Sequence, residues 1–200
     1  VSLKAAWIWL GILCLIGLLV WLQINGTAKL VALGSLALVA AYPFMKRITW
    51  WPQAWLGLVF SWGALVGWLA IDPAFHWSMV LLYAGSIFWV IGYDTIYALQ
   101  DREDDALVGI RSSALRLGEN LRFGVLLFYL IALVSWGAAF WLLRPQGLGL
   151  AALAPMALHL LWQVATLKKA DGDDALAKFR SNRFAGLLMF LACLVLGQAG

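Results

Sequence analysis

What most constrains this chain is the recurrence of long stretches without a single charged side chain. Seven can be read off: 5–28, 30–45, 48–71, 73–93, 123–143, 145–167 and 184–200. A helix rises about 1.5 Å per residue and needs roughly 20 residues to cross a hydrocarbon layer about 30 Å thick, so most of these stretches suffice. The second and last are short for the task. The runs lack the two-residue alternation of a lipid-facing strand, and backbone groups in lipid must pair within their own segment. The expectation is an all-α membrane protein of seven transmembrane helices forming one domain, 1–200. Composition agrees, with 64% of residues hydrophobic and 12% charged, where a soluble domain carries about 25% charged. Turn signals at Asn25-Gly26, Asp72-Pro73 and Pro145-Gln146-Gly147 punctuate the spans. Cys14 and Cys193 sit in apolar runs and are too few for a disulfide framework.

Alternating seven spans sorts the charges. Of 14 Lys and Arg residues, all but Lys29 and Arg144 fall on one face, which the positive-inside rule makes cytoplasmic. The net charge of +4 is therefore topology, and no aromatic-basic motif points to nucleic acid. Of the acidic residues only Asp72 lies on the other face, and six crowd the segment from Asp94 to Glu119.

That segment opens YDTIYALQDREDD. If one helix runs through it, Asp101 and Asp105 point within about 20° of Asp94, whereas Asp104 is roughly 80° away. Three carboxylates on one stripe at the bilayer surface repel one another unless a cation compensates. Mg²⁺ takes oxygen ligands and commonly shares them between a few carboxylates and substrate phosphates. Acidic residues at helix ends are also often merely solvated. Against that bland reading stand Arg102, Arg111, Arg116 and Arg122 nearby, as partners for phosphate oxygens, and Gly109 and Gly118, which let the loop fold over a ligand. The residues ask for a metal-bound phosphate or diphosphate on something that lives in lipid.

At these residues a resemblance becomes specific. Positions 93–118, YDTIYALQDREDDALVGIRSSALRLG, resemble the second Asp-rich motif of UbiA-type membrane prenyltransferases, and within them the 4-hydroxybenzoate branch of ubiquinone biosynthesis. Positions 42–63, YPFMKRITWWPQAWLGLVFSWG, are similar to that branch's YPFMKR, PQ and G-x-x-F-x-W-G pattern, and KFRSNRFAGLLMF is similar to its last loop. The family's first motif, NDxxDRxxD, does not occur. The resemblance implies a nine-helix bundle of which these seven spans are the third to ninth. The chain is expected to be an N-terminally truncated member, impaired or inactive alone.

The resemblance further implies transfer of a polyprenyl chain from polyprenyl diphosphate to the ring of 4-hydroxybenzoate, with Mg²⁺ as cofactor. It implies an integral protein of the bacterial inner membrane, or its mitochondrial counterpart, with the active site facing the cytoplasm. On this reading Asp94, Asp101 and Asp105 hold metal, with Asp104 second. Arg111 is the best diphosphate partner and Arg102 a weaker one. Tyr97 bonds a phosphate oxygen or faces the allylic cation, Arg47 takes the benzoate carboxylate, and Lys46 joins the substrate site. Tyr42, Trp89 and Tyr93 are candidates to line the cation's pocket with π faces, although aromatic residues gather at membrane interfaces anyway. Competing readings are another family reaction, of the haem O, menaquinone or chlorophyll type, and a polytopic transporter, whose mark is ionisable residues near the midplane.

Other features carry less. His76 and His159 lack ligand-spaced partners. Asp171-Gly172-Asp173-Asp174 lacks the twelfth-position Glu of a calcium loop. Gly63, Gly67, Gly85 and Gly137 suggest close helix packing. Asn182 matches a position of the resemblance without an evident role.

Overall fold

A computed structural model describes residues 1–198. It contains seven helices long and apolar enough to cross a membrane: α1 (Leu3–Gln23), α2 (Gly26–Ile48), α3 (Pro52–Ile71), α4 (Trp77–Tyr97), α7 (Leu121–Leu143), the broken pair α8 (Gly147–Ala151) and α9 (Ala154–Thr166), and α10 (Gly172–Gln198). Two short helices, α5 (Arg102–Leu107) and α6 (Ser113–Leu117), lie in the connection between α4 and α7. The span ending expected at Gly200 falls outside the described residues.

The helix ends depart from the hydropathy boundaries for physical reasons. The first span was expected to run to residue 28, but the chain turns at Ile24 and Asn25. Asn25 accepts from the Ala28 N–H at 3.0 Å, capping α2, and donates to the Leu69 carbonyl of α3. Pro52 at the first position of α3 supplies the fixed φ a helix start needs. The seventh span was expected from residue 184, yet α10 begins at Gly172. One face of its polar first half turns inward: the Lys178 ammonium pairs with Asp174, and Asn182 accepts from the Trp89 indole of α4 at 2.9 Å. Charge thus marks where a helix leaves lipid contact, not where it stops.

Between helices in lipid the hydrophobic effect gives little, and close packing with interhelical hydrogen bonds takes over. The core gathers where α4, α7 and α10 meet, around Tyr129, Trp136 and Phe140. A Cβ on Gly85 would stand 2.5 Å from the Trp136 ring, and one on Gly92 would stand closer still to Tyr129, so α4 admits two aromatic rings of α7 against its backbone. Gly63 and Gly67 have nothing within 4 Å and do not serve the packing role expected of them. Indoles act as cross-ties: Trp21, Trp55 and Trp62 donate to the carbonyls of Lys29, Leu38 and Val31 at 3.1, 2.8 and 2.8 Å, each spanning two helices. Many of the tryptophans are therefore structural and not only interfacial. No residue of α1 is buried, and it touches mainly α2.

Candidate active site

α2 carries Lys46 and Arg47 in its last turn, at the end of the bundle where α4 delivers Asp94. The expected single helix through Asp94, Asp101 and Asp105 does not exist. α4 ends at Tyr97, and a tight turn follows in which the Leu99 and Gln100 N–H groups donate to the Ile96 and Tyr97 carbonyls. α5 then starts afresh, with Asp101 at its N-cap and Asp105 one turn on, the Asp105 N–H donating to the Asp101 carbonyl at 2.7 Å. The stripe argument fails because the chain turns between its first and second members.

The return segment is pinned to α2, α3 and α4. Gly109 and Gly118 have φ of +71° and +52°, the left-handed region in which a side chain is strained, and they mark the two reversals of this connection. Between them, the Arg111 N–H donates to the Lys46 carbonyl at 3.1 Å and Arg111 Nη1 to the Ile48 carbonyl at 2.7 Å, with the guanidinium 5.5 Å from the Trp50 ring. Ser113 is fixed twice, its N–H by Gln53 Oε1 at 3.0 Å and its hydroxyl by Thr95 at 2.7 Å. Gln53, Thr95 and Ser113 are all buried. These clamps went unread in the sequence, although Gln53 lies inside the quoted PQ pattern.

The result is a shared counter-ion. The Lys46 ammonium acts electrostatically on both Asp94 and Asp105, although they lie on different elements. Tyr42, one turn earlier on α2, is also within reach of the Asp94 charge. Asp105 is 6% exposed. Burial pushes its carboxyl above the ordinary range, Lys46 opposes that rise, and Asp101 and Asp104 add to it.

Among the described residues, the carboxylates of Asp94, Asp101, Asp104 and Asp105 form no ion pair; all such pairs lie elsewhere, at His76–Asp72, Lys168–Asp171, Lys169–Glu119 and Lys178–Asp174. No group of three or more His, Cys, Asp or Glu converges on one point among them either. These carboxylates thus make no closed protein cage for a cation among the described residues.

The remaining candidates divide. Arg47 is exposed beside Lys46. Arg102 and Asp104 line a cavity of about 870 Å³ on the far side of α5, with Glu103, Glu119 and Lys169, and that cavity is not lined by Asp94, Asp101 or Asp105. Tyr97 packs on Phe179 of α10 with ring centroids 4.5 Å apart. Tyr93 also meets Phe179, at 5.7 Å, and Trp89 meets Tyr93 at 5.3 Å. These three aromatics thus form one run along α4 toward α10, ordered by the Trp89–Asn182 bond. Asn182 thereby gains a role. The signal for it was the four-residue spacing of Asp174, Lys178 and Asn182, a polar stripe on one helical face.

Comparison with known proteins gives a consistent result. The UbiA prenyltransferase family model matches residues 1–194. The chain is 41% identical over 197 residues to a mitochondrial 4-hydroxybenzoate polyprenyltransferase of Arabidopsis thaliana, covering 95% of this chain and 47% of that protein. It is 41% identical over 204 residues to the Homo sapiens protein of the same name, covering 99% and 53%. This chain thus spans about half the length of these relatives. Its fold matches the apo structure of a UbiA homolog from Aeropyrum pernix K1 with a TM-score of 0.69, at 23% identity, over 96% of this chain and 73% of that one.

Proposed function

This chain belongs to the UbiA prenyltransferase family, and from that premise we propose that it carries the diphosphate-binding half of an enzyme that moves a polyprenyl group from polyprenyl diphosphate to 4-hydroxybenzoate. Sequence similarity to proteins bearing that name supports the acceptor. The observation that carries the site is that the charge of Lys46 reaches both Asp94 and Asp105, which belong to separate elements and are not ion-paired among the described residues.

The hard step is breaking the allylic carbon–oxygen bond, whose electron pair leaves on the diphosphate. Bound Mg²⁺, held by Asp94, Asp101 and Asp105 with Asp104 second, would supply charge stabilisation on that leaving group. Lys46 is placed to bind a diphosphate oxygen once the carboxylates are otherwise engaged. Arg111 spends one of its five N–H donors on Ile48 and keeps the others for phosphate. Preorganised donors of this kind contribute about 3 kcal/mol each to the barrier. Tyr97, Tyr93 and Trp89 offer π faces and exclude water, so the ring of 4-hydroxybenzoate meets the cation before any other nucleophile does. Arg47, exposed at the same helix end, receives the acceptor's carboxylate.

Because the chain alone is expected to be impaired or inactive, the test is an assay of membranes carrying it completed with the N-terminal part of a full-length relative, with radiolabelled polyprenyl diphosphate and a choice of aromatic acceptors. Mg²⁺-dependent label on 4-hydroxybenzoate, in preference to the acceptors of the other family reactions, is expected. Equal labelling of all acceptors would contradict the assignment, as would substrate flux into vesicles without any transfer.

A further inference from the structure

At the opposite end of the bundle from Asp94 lies a second cavity, of about 400 Å³. Its walls come from four helices: Trp68 of α3, Leu82 of α4, Phe140 and Leu143 of α7, and Leu196 of α10, with Arg144 at the rim just past α7. The lining is almost wholly apolar, yet two of the lining residues, Trp68 and Arg144, each carry a buried donor without an acceptor. Trp68 Nε1 and Arg144 Nη1 are both buried, and neither finds a hydrogen-bond partner among the described residues. The indoles of Trp21, Trp55, Trp62, Trp89 and Trp136 each have one, so Trp68 is out of pattern. The other Arg144 nitrogen, Nη2, reaches only the Gly197 carbonyl at 3.5 Å. Among the described residues no carboxylate lies within ion-pairing distance of Arg144. Buried donors without partners are rare, and a charged one is costly. Arg144 is also one of only two cations on the face that the charge distribution keeps nearly free of them.

We propose that this cavity is a binding site for an anionic phospholipid of that leaflet. The headgroup phosphate accepts from Arg144 and Trp68, and an acyl chain lies along Leu82, Phe140, Leu143 and Leu196. Charge complementarity selects the occupant. The two orphan donors require oxygen acceptors, the lone guanidinium requires net negative charge, and the apolar walls require a hydrocarbon chain attached to both. A pocket of this size falls in the usual range for small amphiphiles.

The experiment uses the protein in nanodiscs, read by its tryptophan fluorescence. The contribution of Trp68 is the part of the emission lost in Trp68→Phe. Brominated phosphatidylglycerol should quench that part at about a tenfold lower mole fraction than brominated phosphatidylcholine, whose phosphate offers the same acceptors but whose choline cancels the net charge that Arg144 selects. Arg144→Gln should remove the preference and Arg144→Lys should keep part of it. Native mass spectrometry of the unmodified protein, which needs no variant to fold, should retain phosphatidylglycerol after phosphatidylcholine has been stripped. Equal quenching and equal retention of the two lipids would overturn the proposal. Displacement by excess inorganic phosphate would also overturn it, because the site would then be one for a free anion.

Discussion

Two polar regions of this molecule are built on opposite plans. Where α7, α9 and α10 meet, Gln163 is fully buried and every partner is another side chain or carbonyl of the fold: its Oε1 accepts from the Tyr129 hydroxyl at 2.5 Å, while its Nε2 lies 3.1 Å from His159 and 3.0 Å from Ser181. At the end of α4, Asp94 and Asp105 share the electrostatic reach of one lysine and belong to no ion pair within the described residues. A satisfied network specifies a fold; carboxylates without ion pairs leave their oxygens to a ligand. The first region should therefore answer to mutation in stability, the second in rate.

The largest effect expected from that contrast is on catalysis. In the chain completed with the N-terminal part of a full-length relative, Asp94→Asn should lower prenyl transfer by about a hundredfold or more, the usual cost of removing one preorganised charge group, while the thermal midpoint in detergent stays within the error of the unsubstituted protein. A variant that unfolded in step with its loss of activity would erase the distinction. Next comes Gln163→Leu, which leaves the buried Tyr129 hydroxyl without its acceptor and should cost about 1–3 kcal/mol of stability, read by thermal unfolding, with turnover per folded molecule unchanged. A smaller change tests the clamp on the α5–α6 connection. Ser113→Ala removes the hydroxyl bond to Thr95 but keeps the backbone bond to Gln53, so KM for the diphosphate should rise a few-fold, roughly the value of one hydrogen bond, with kcat little altered. Smallest is Asp72, alone among the acidic residues on the other face. The Ala74 N–H, and then His76, hold its carboxyl below the ordinary range. Its stabilisation is present above the ordinary carboxylate range and is lost as pH falls through the lowered value. Parent and Asp72→Asn melting curves should therefore differ slightly near neutrality and converge in acid, with transfer unaffected.

The contrast also explains what was legible in the sequence. Charge-free length located the seven spans, and the bias of Lys and Arg placed Asp94, Lys46 and Arg111 at one end of the bundle. Helix ends were less legible, because a helix continues as long as its backbone bonds are favourable and its polar side chains find partners inside the protein. Asp94, Asp174, Lys178 and Asn182 all sit within helices for that reason. The turn at Ala98–Asp101 was invisible to a periodicity argument, since YALQDREDD contains no Gly or Pro to announce it. Asp94 and Asp105 nevertheless both come within the electrostatic reach of Lys46, in a connection stitched by Arg111 to α2 and by Ser113 to α3 and α4. Only tertiary contacts supply that information. Asp104, which the assumed helix set aside from the stripe, lies toward the other cavity with Arg102.

The account's central claim is that Asp94 and Asp105 act jointly on a metal-bound diphosphate. The direct measurement is electron paramagnetic resonance of Mn²⁺, substituting for Mg²⁺, titrated into the protein with and without polyprenyl diphosphate. The account predicts tight Mn²⁺ binding that depends on the diphosphate, is lost in both Asp94→Asn and Asp105→Asn, and is largely retained in Asp104→Asn. Undiminished diphosphate-dependent binding in Asp94→Asn would contradict it.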